Sequence, residues 1–588
     1  MIALNLKDHF LKIPSVFKVK KIVLSLFFAL LIISGCTAVD PSQRSVQKYP
    51  ERVTYQSDLT DPAAKALFYF SEFRMLGAEN RWEEAITSLE QAISFDPQSE
   101  YLQLVLARAY LHRQQPEQAA AILKALLADH PENVEGYELL GDVCSFQQNY
   151  SLAATHFRRA LELRPESAVL SLRLAMTLAQ LGKNGEAITR LEGLLKKHPD
   201  ADLARLTLAR LYLHEQEPEK AFTAYRKLLE QQPDQPQVVL EYGKLLQQQD
   251  PAAALELYRS FIARNPRVAA VRQQLAQDLL RQNQLDEAFV QLRAIQQQFP
   301  EDRKTLNQIG LIQLEKKQWF DAERTFQKLL QLEDGDDDSR YYLSVALSEQ
   351  HKFTAAIAVL EPLSQGSAIY PEAALQLAYL YKRVDQNSKA ISILRQLLQQ
   401  GSERQSLYYY LVIFLGDSGE YRQALDIARA GVEKYPEDVQ LLYQLGSLHE
   451  KLGEHQPAIQ MMEKILSLDP ANPDALNFLA YGQAESGVDL DLALQRAEKA
   501  FVLKPSGYII DTLGWVYFKL GRYSESRKKL EKAVELHPED AVIHEHLGDL
   551  YRALKLWKKA ESAYREALKL APDSVPVKEK LKLLLERK

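Results

Sequence analysis

LGDLYRALKLWKKAESAYREALKLAP, from Leu547 to Pro572, holds two helical stretches separated by a short polar break. Small residues at Gly548 and Ala560 let two helices approach closely, the rings of Tyr551 and Tyr564 fill the space beside them, and Pro572 ends the second helix at a turn. The same grammar stands 34 residues upstream in LGWVYFKLGRYSESRKKLEKAVELHP, from Leu513 to Pro538, with Ser526 where the next copy has Ala560. A small residue replaces a small residue, so the pairing of helices is kept.

Working outward, prolines fall at Pro97, Pro131, Pro165, Pro199 and Pro233, each 34 residues after the last, then at Pro266 and Pro300. The next in frame is Pro436, four periods on, followed by Pro470, Pro505, Pro538 and Pro572. An alanine comb runs twelve residues ahead: Ala85, Ala119, Ala153, Ala187, Ala221, Ala254, Ala288, Ala322, Ala356, Ala390, Ala424, Ala458 and Ala560. Three frames have Asp334, Ala368 and Ser402 in place of proline but keep the comb alanine, which predicts persisting helices with altered turns. This period and pattern resemble the tetratricopeptide repeat, a pair of antiparallel helices. The resemblance implies an all-α fold, a TPR solenoid winding as a right-handed superhelix, with about fifteen repeats between Ala66 and Pro572. Residues 61–572 form the expected solenoid, and DSVPVKEKLKLLLERK (573–588) is predicted as an amphipathic helix capping its last apolar face. The acidic run Glu333–Asp338 lacks the alternate-ligand spacing and distal Glu of a calcium loop, and reads as a turn with an acidic cap for the next helix.

The N-terminus has a different character. A basic leader with Lys7, Lys12, Lys18, Lys20 and Lys21 precedes an uncharged run from Ile22 to Gly35. As a helix that run reaches roughly 21 Å, short of the roughly 30 Å hydrocarbon core. Charge, apolar run and small residues follow one another as in a signal peptide, here residues 1–35. Ile33, Ser34, Gly35 and Cys36 resemble the bacterial lipobox, which implies lipidation of Cys36, and Thr37 after it implies sorting to the outer membrane in a two-membrane cell. The expectation is a lipid-anchored envelope protein, on the periplasmic face of the outer membrane, with residues 36–60 as a flexible tether. Without the leader the formal charge is about −10, against −6 for the whole chain. That balance excludes a nucleic-acid surface, which needs clustered Lys and Arg. If Cys36 carries lipid, Cys144 has no partner for a disulfide and is expected to be a small buried hydrophobe.

Chemistry finds no footing in the sequence. HEKLGEH (His449–His455) sets its histidines six apart across a predicted turn, and HEH (His544–His546) sets them two apart on divergent faces. Neither meets the i, i+4 spacing of a zincin helix. There is no phosphate loop, no nucleophile elbow and no cysteine cluster, and the many Asp and Glu pairs read as the wet faces of amphipathic helices. No catalysis, metal or cofactor is expected.

Function then rests on surface. Within each repeat, positions 4, 7, 8 and 11 of the first helix carry the consensus, so positions 2, 5, 9 and 12 form a second stripe, which in this family lines the groove. The stripe begins with Leu67, Phe70 and Arg74 and turns aromatic towards the C-terminus, with Tyr341, Tyr379, Tyr409, Tyr443, Tyr481, Tyr508, Trp515 and Phe518 as the candidate partner groove. Rigid rings bury much area at low entropic cost, as binding surfaces require. Residues Asn477 to Ala533 are also similar to a segment of long bacterial TPR lipoproteins, among them adaptors for a carboxyl-terminal processing protease. The resemblance implies a non-enzymatic adaptor that holds a periplasmic protease beside its substrates, such as cell-wall hydrolases. The alternative is an assembly scaffold for an envelope machine such as polysaccharide export or secretion.

Overall fold

The same local signals build every helix pair. In the computed structural model, which describes residues 60–402 and 404–586, thirty-one helices run from Pro62–Ala78 to Val575–Leu585, with no strand among the described residues. They are fifteen pairs and one last helix, as the 34-residue period predicts. The leader, Cys36 and the tether lie outside the described residues. At several of the prolines that end a repeat, a capping side chain two positions on starts the next helix. The Asn133 side chain accepts from Gly136 N–H at 2.7 Å, Ser167 from Leu170 at 3.3 Å, and Asn472 from Ala475 at 3.0 Å. Asp336 does the same for Ser339 at 3.1 Å, so the acidic run at 333–338 is a helix cap as expected.

Every comb alanine is fully buried, and so are Ser526 and Ala493, the latter standing twelve residues ahead of Pro505. Close approach at these points lets the second helix of each pair insert a side chain against position 8 of the first. A Cβ on Gly141 would come within 2.6 Å of Phe157, one on Gly243 within 2.3 Å of Tyr258, and one on Gly548 within 2.5 Å of Tyr564. At these three pairs glycine leaves the room that the inserted ring occupies.

In most pairs the inner turn pivots on one left-handed residue. Asn80, Gln114, Gln148, Gly182 and Gln216 occupy it at the 34-residue period, and Lys317, His351, Asp385, Gly419, Gly453, Gly521 and Lys555 continue it, with φ between 57° and 78°. Two of the three irregular spacings of the proline frame are settled here. Asp250, extended at φ −138°, both ends Pro236–Gln249 and caps Pro251–Arg264, which shortens that repeat by a residue. Before Leu490–Leu503 the turn is lengthened, with Gly487 and Asp489 both left-handed.

Residues 60–305 and 306–586 form two compact units, each described by itself. In the first, the buried core runs from Ile86 and Leu89 to Leu292 and Ile295, and Cys144 is buried within it as expected. In the second, one expectation is corrected. In the frame holding Ala368 the second helix, Phe353–Leu360, stops after eight residues. Pro362 lacks the next N–H and its ring crowds the preceding turn, so the chain passes through an irregular stretch before Tyr370–Arg383. The frames holding Asp334 and Ser402 keep helices of ordinary length, Trp319–Leu332 and Asn387–Gln399. At the end, Val577, Leu581 and Leu584 of Val575–Leu585 join a core with Tyr551 and Tyr564, closing the last pair.

A further fastener recurs between repeats. A tyrosine of the first helix donates to a glutamate of the preceding second helix: Tyr551 to Glu531 at 2.8 Å, Tyr517 to Glu498 at 2.9 Å, and likewise Tyr110 to Glu90 and Tyr212 to Glu192. A cation covers several of these rings, as Lys559 does at 5.4 Å over Tyr551. Burial and then the facing carboxylate push the Tyr551 and Tyr110 phenols up to about 12.

Candidate functional site

Within the second unit, first helices of successive repeats touch one another, as Pro473–Ser486, Gly507–Lys519 and Ala541–Ala553 do in turn. They form the inner side of the stack, and the aromatic stripe lies on them. Tyr379, Tyr409, Tyr443, Tyr481 and Phe518 are half-buried, while Tyr508 is exposed. Tyr341 and Trp515 are buried at 5% and 6% exposure, so these two rings are wall rather than surface. The reason is local packing. Tyr341 lies 5.3 Å from Tyr342, and burial followed by the Glu372 carboxylate pushes its phenol up to about 12. Trp515 is sandwiched between Phe518 at 4.8 Å and His546 at 4.1 Å, both nearly parallel to it, and donates its indole N–H to Glu485.

The stripe resolves into two groups. Around Asp474, the Tyr508 hydroxyl donates at 2.6 Å and Lys504 Nζ at 2.9 Å, with the Lys504 ammonium 5.4 Å from the Tyr508 ring centroid. Burial and then Asp474 raise the Tyr443 phenol's pKa. Around His546, Tyr481 lies 6.0 Å away, Trp515 stacks, and both Asp511 oxygens lie 2.9–3.0 Å from Nδ1. Beside it Lys580 of the last helix donates to Glu545 at 2.5 Å and Asp549 at 2.6 Å, and Asp549 also accepts from Tyr564 at 2.6 Å. Burial disfavours the Lys580 charge, yet these carboxylates outweigh it and raise its pKa. Tyr409 and Tyr410 lie edge to face at 5.7 Å in the repeat that holds them.

Sequence reading missed this polar network. Its signal was present in Asp511, His546 and Asp549, polar residues on first-helix positions that the packing of neighbouring repeats covers, but HEH was weighed only as a metal pair. In HEKLGEH the two rings are engaged with carboxylates of their own turn, His449 with Glu454 at 2.5 Å and His455 with Glu450 at 3.0 Å. Among the described residues no group of three His, Cys, Asp or Glu is placed to hold a metal ion, and no helix is long and apolar enough to cross a membrane.

Stacked helix pairs with an aromatic inner face define a helical-repeat interaction scaffold. The chain belongs to the tetratricopeptide-repeat family: models of that repeat match residues 77–143, 134–167, 172–236, 244–303, 439–472 and 512–575. The chain is similar to TPR repeat-containing protein PA4667 of Pseudomonas aeruginosa, 26% identical over 216 residues, which cover 36% of each protein. It is also similar to human protein O-mannosyl-transferase TMTC1, 25% identical over 218 residues, covering 36% of this chain and 24% of that protein. The chain thus spans about a third or less of these relatives' length. Among solved structures, the crystal structure of the APC/C hetero-tetramer Cut9–Hcn1 aligns with 83% of this chain and 97% of its own, at 18% identity and a TM-score of 0.37. Proteins of this family act through protein–protein contacts, on a scaffold that is generally non-catalytic.

Proposed function

We propose that the protein is a non-enzymatic adaptor, lipid-anchored at Cys36 to the bacterial envelope, that brings a periplasmic protease and its substrates together on its inner face. The observation that carries it is the run Tyr409, Tyr443 and Tyr481, half-open rings on first helices of three successive repeats. Half-open rings on successive repeats offer contact area to a protein partner, as a tether of two proteins requires. The family resemblance of Asn477–Ala533 supports the protease as partner, and the leader pattern supports the anchor.

The test is to delete the gene and compare envelope proteomes, alongside crosslinking purification of the lipidated protein. An adaptor should co-purify with a protease, and its loss should make a few specific envelope proteins accumulate. An assembled complex that disintegrates on deletion, with no protein accumulating, would overturn the adaptor in favour of an assembly scaffold. Purified protein alone should degrade no envelope substrate, with or without zinc or calcium.

A further inference from the structure

The first and last described helices are finished differently. In later first helices the third and tenth residues of the repeat pack against the second helix that precedes them. Leu102 and Ala109 share a buried cluster with Leu89 and Ala92 of Trp82–Phe95, and Val577 and Leu584 share one with Ala563 and Ala567 of Trp557–Leu570. At the C-terminal end the outward face is polar. Lys578 and Lys582 are exposed there, at the positions where the preceding first helix has buried His544 and Gly548, as the end of a repeat stack in water requires. The N-terminal end is apolar. In Pro62–Ala78, with no pair before it among the described residues, the third and tenth positions hold Phe68 and Met75. Phe68 is half-buried, Met75 is 52% exposed and the neighbouring Leu67 65% exposed. A face that a preceding helix covers elsewhere is here left open, which marks a docking surface.

The sequence supplies an occupant. Residues 48–59, KYPERVTYQSDL, stand outside the described residues and end two positions before Asp61, whose side chain caps Pro62–Ala78. They carry Tyr49, Val53, Tyr55 and Leu59. In the 34-residue frame Tyr55 stands where Leu89 is buried, but Glu51 and Asp58 stand where Ala85 and Ala92 are buried. The segment thus keeps apolar side chains while lacking the small residues of a further helix pair. Joined to the face through Asp61, it meets that face at a higher local concentration than a second molecule can.

We propose that residues 48–59 of the chain itself cover this face, laying Val53, Tyr55 and Leu59 on Phe68 and Met75. The inference stands apart from the adaptor reading and from lipid at Cys36. If both hold, it shortens the link between Cys36 and the covered face from residues 36–60 to 36–47, or from about 85 Å to about 40 Å at full extension.

In the intact protein, Met75→Cys and Val502→Cys, the latter at a site 79% exposed, would each be alkylated with N-ethylmaleimide and read by peptide mass spectrometry. Met75→Cys should react about tenfold more slowly, and adding V53S/Y55S should bring the two rates within about twofold with the helical signal unchanged. Mild oxidation of M75C/Y55C should close a disulfide within one chain, and a bond only between chains would overturn the proposal. Equal rates with the segment unaltered would overturn it too. So would slowing seen only at high protein concentration, which makes the occupant a second copy, or only with phosphatidylglycerol vesicles, which makes it a lipid surface.

Discussion

At the scale of single residues, complementarity across sixteen positions decides each helix pair. Gly548 faces Tyr564 and Gly141 faces Phe157, whereas Val412 stands in register with Ala428, so volume is conserved while its source alternates. Gly548→Ala should therefore cost about 1–3 kcal/mol, since the new Cβ meets a fully buried ring with no room to give, and a chemical denaturation midpoint would show it. Trp515→Ala should cost about 3–5 kcal/mol, because the ring is wall, and a melting curve would report it before any binding assay could. A third prediction concerns Asp142. Burial, which outweighs the neighbouring Arg173, pushes its carboxyl up to about 6. Its folded value is raised, so the protonated form favours folding, and its contribution is fully present below about pH 4 and lost as pH rises through about 6. Asp142→Asn should accordingly gain on the wild type by roughly 1–2 kcal/mol between pH 4 and pH 7, with Arg173 still paired to Glu138 at 3.3 Å. Unfolding titrations at the two pH values, showing no change in the difference, would contradict it.

At the scale of elements, the helices were legible because proline, comb alanine and consensus rings repeat at a fixed spacing that only a helix pair explains. The turns were not. Their common requirement is a left-handed backbone, which glycine announces at Gly453 and Gly521 but Gln148, Lys317 and Lys555 conceal. A side chain there costs strain that glycine avoids, so Lys317→Gly and Lys555→Gly should each stabilise their unit, by about 0.5–1 kcal/mol after the entropy of the unfolded chain is offset. Gly453→Ala should lose a similar amount, and both are readable by thermal denaturation. The cut helix Phe353–Leu360 was also hidden, since Ala356 satisfied the comb while Pro362, outside the proline frame, set the stop. Of the candidate groove, the placement of its rings on first helices was legible from stripe position, but not which of them stay half-open. Burial of Tyr341 and Trp515 was not, because it depends on Tyr342, Phe518 and His546, neighbours that position within one repeat does not reveal.

At the scale of the whole molecule, the account joins an anchor at one end of the sequence to an interaction surface at the other. Cys36→Ala should release the protein from membrane fractions and remove the acyl mass from its N-terminal peptide, whereas unchanged fractionation would remove the anchor from the account. The central claim is that the half-open rings bind and do not merely pack. It is tested most directly by pairing circular-dichroism melting with capture of the crosslinked partner for Tyr443→Ala/Tyr481→Ala. The account predicts a variant that melts close to the wild type and loses partner affinity by about thirtyfold or more, some 2 kcal/mol. A stable double variant that captures its partner normally would contradict it.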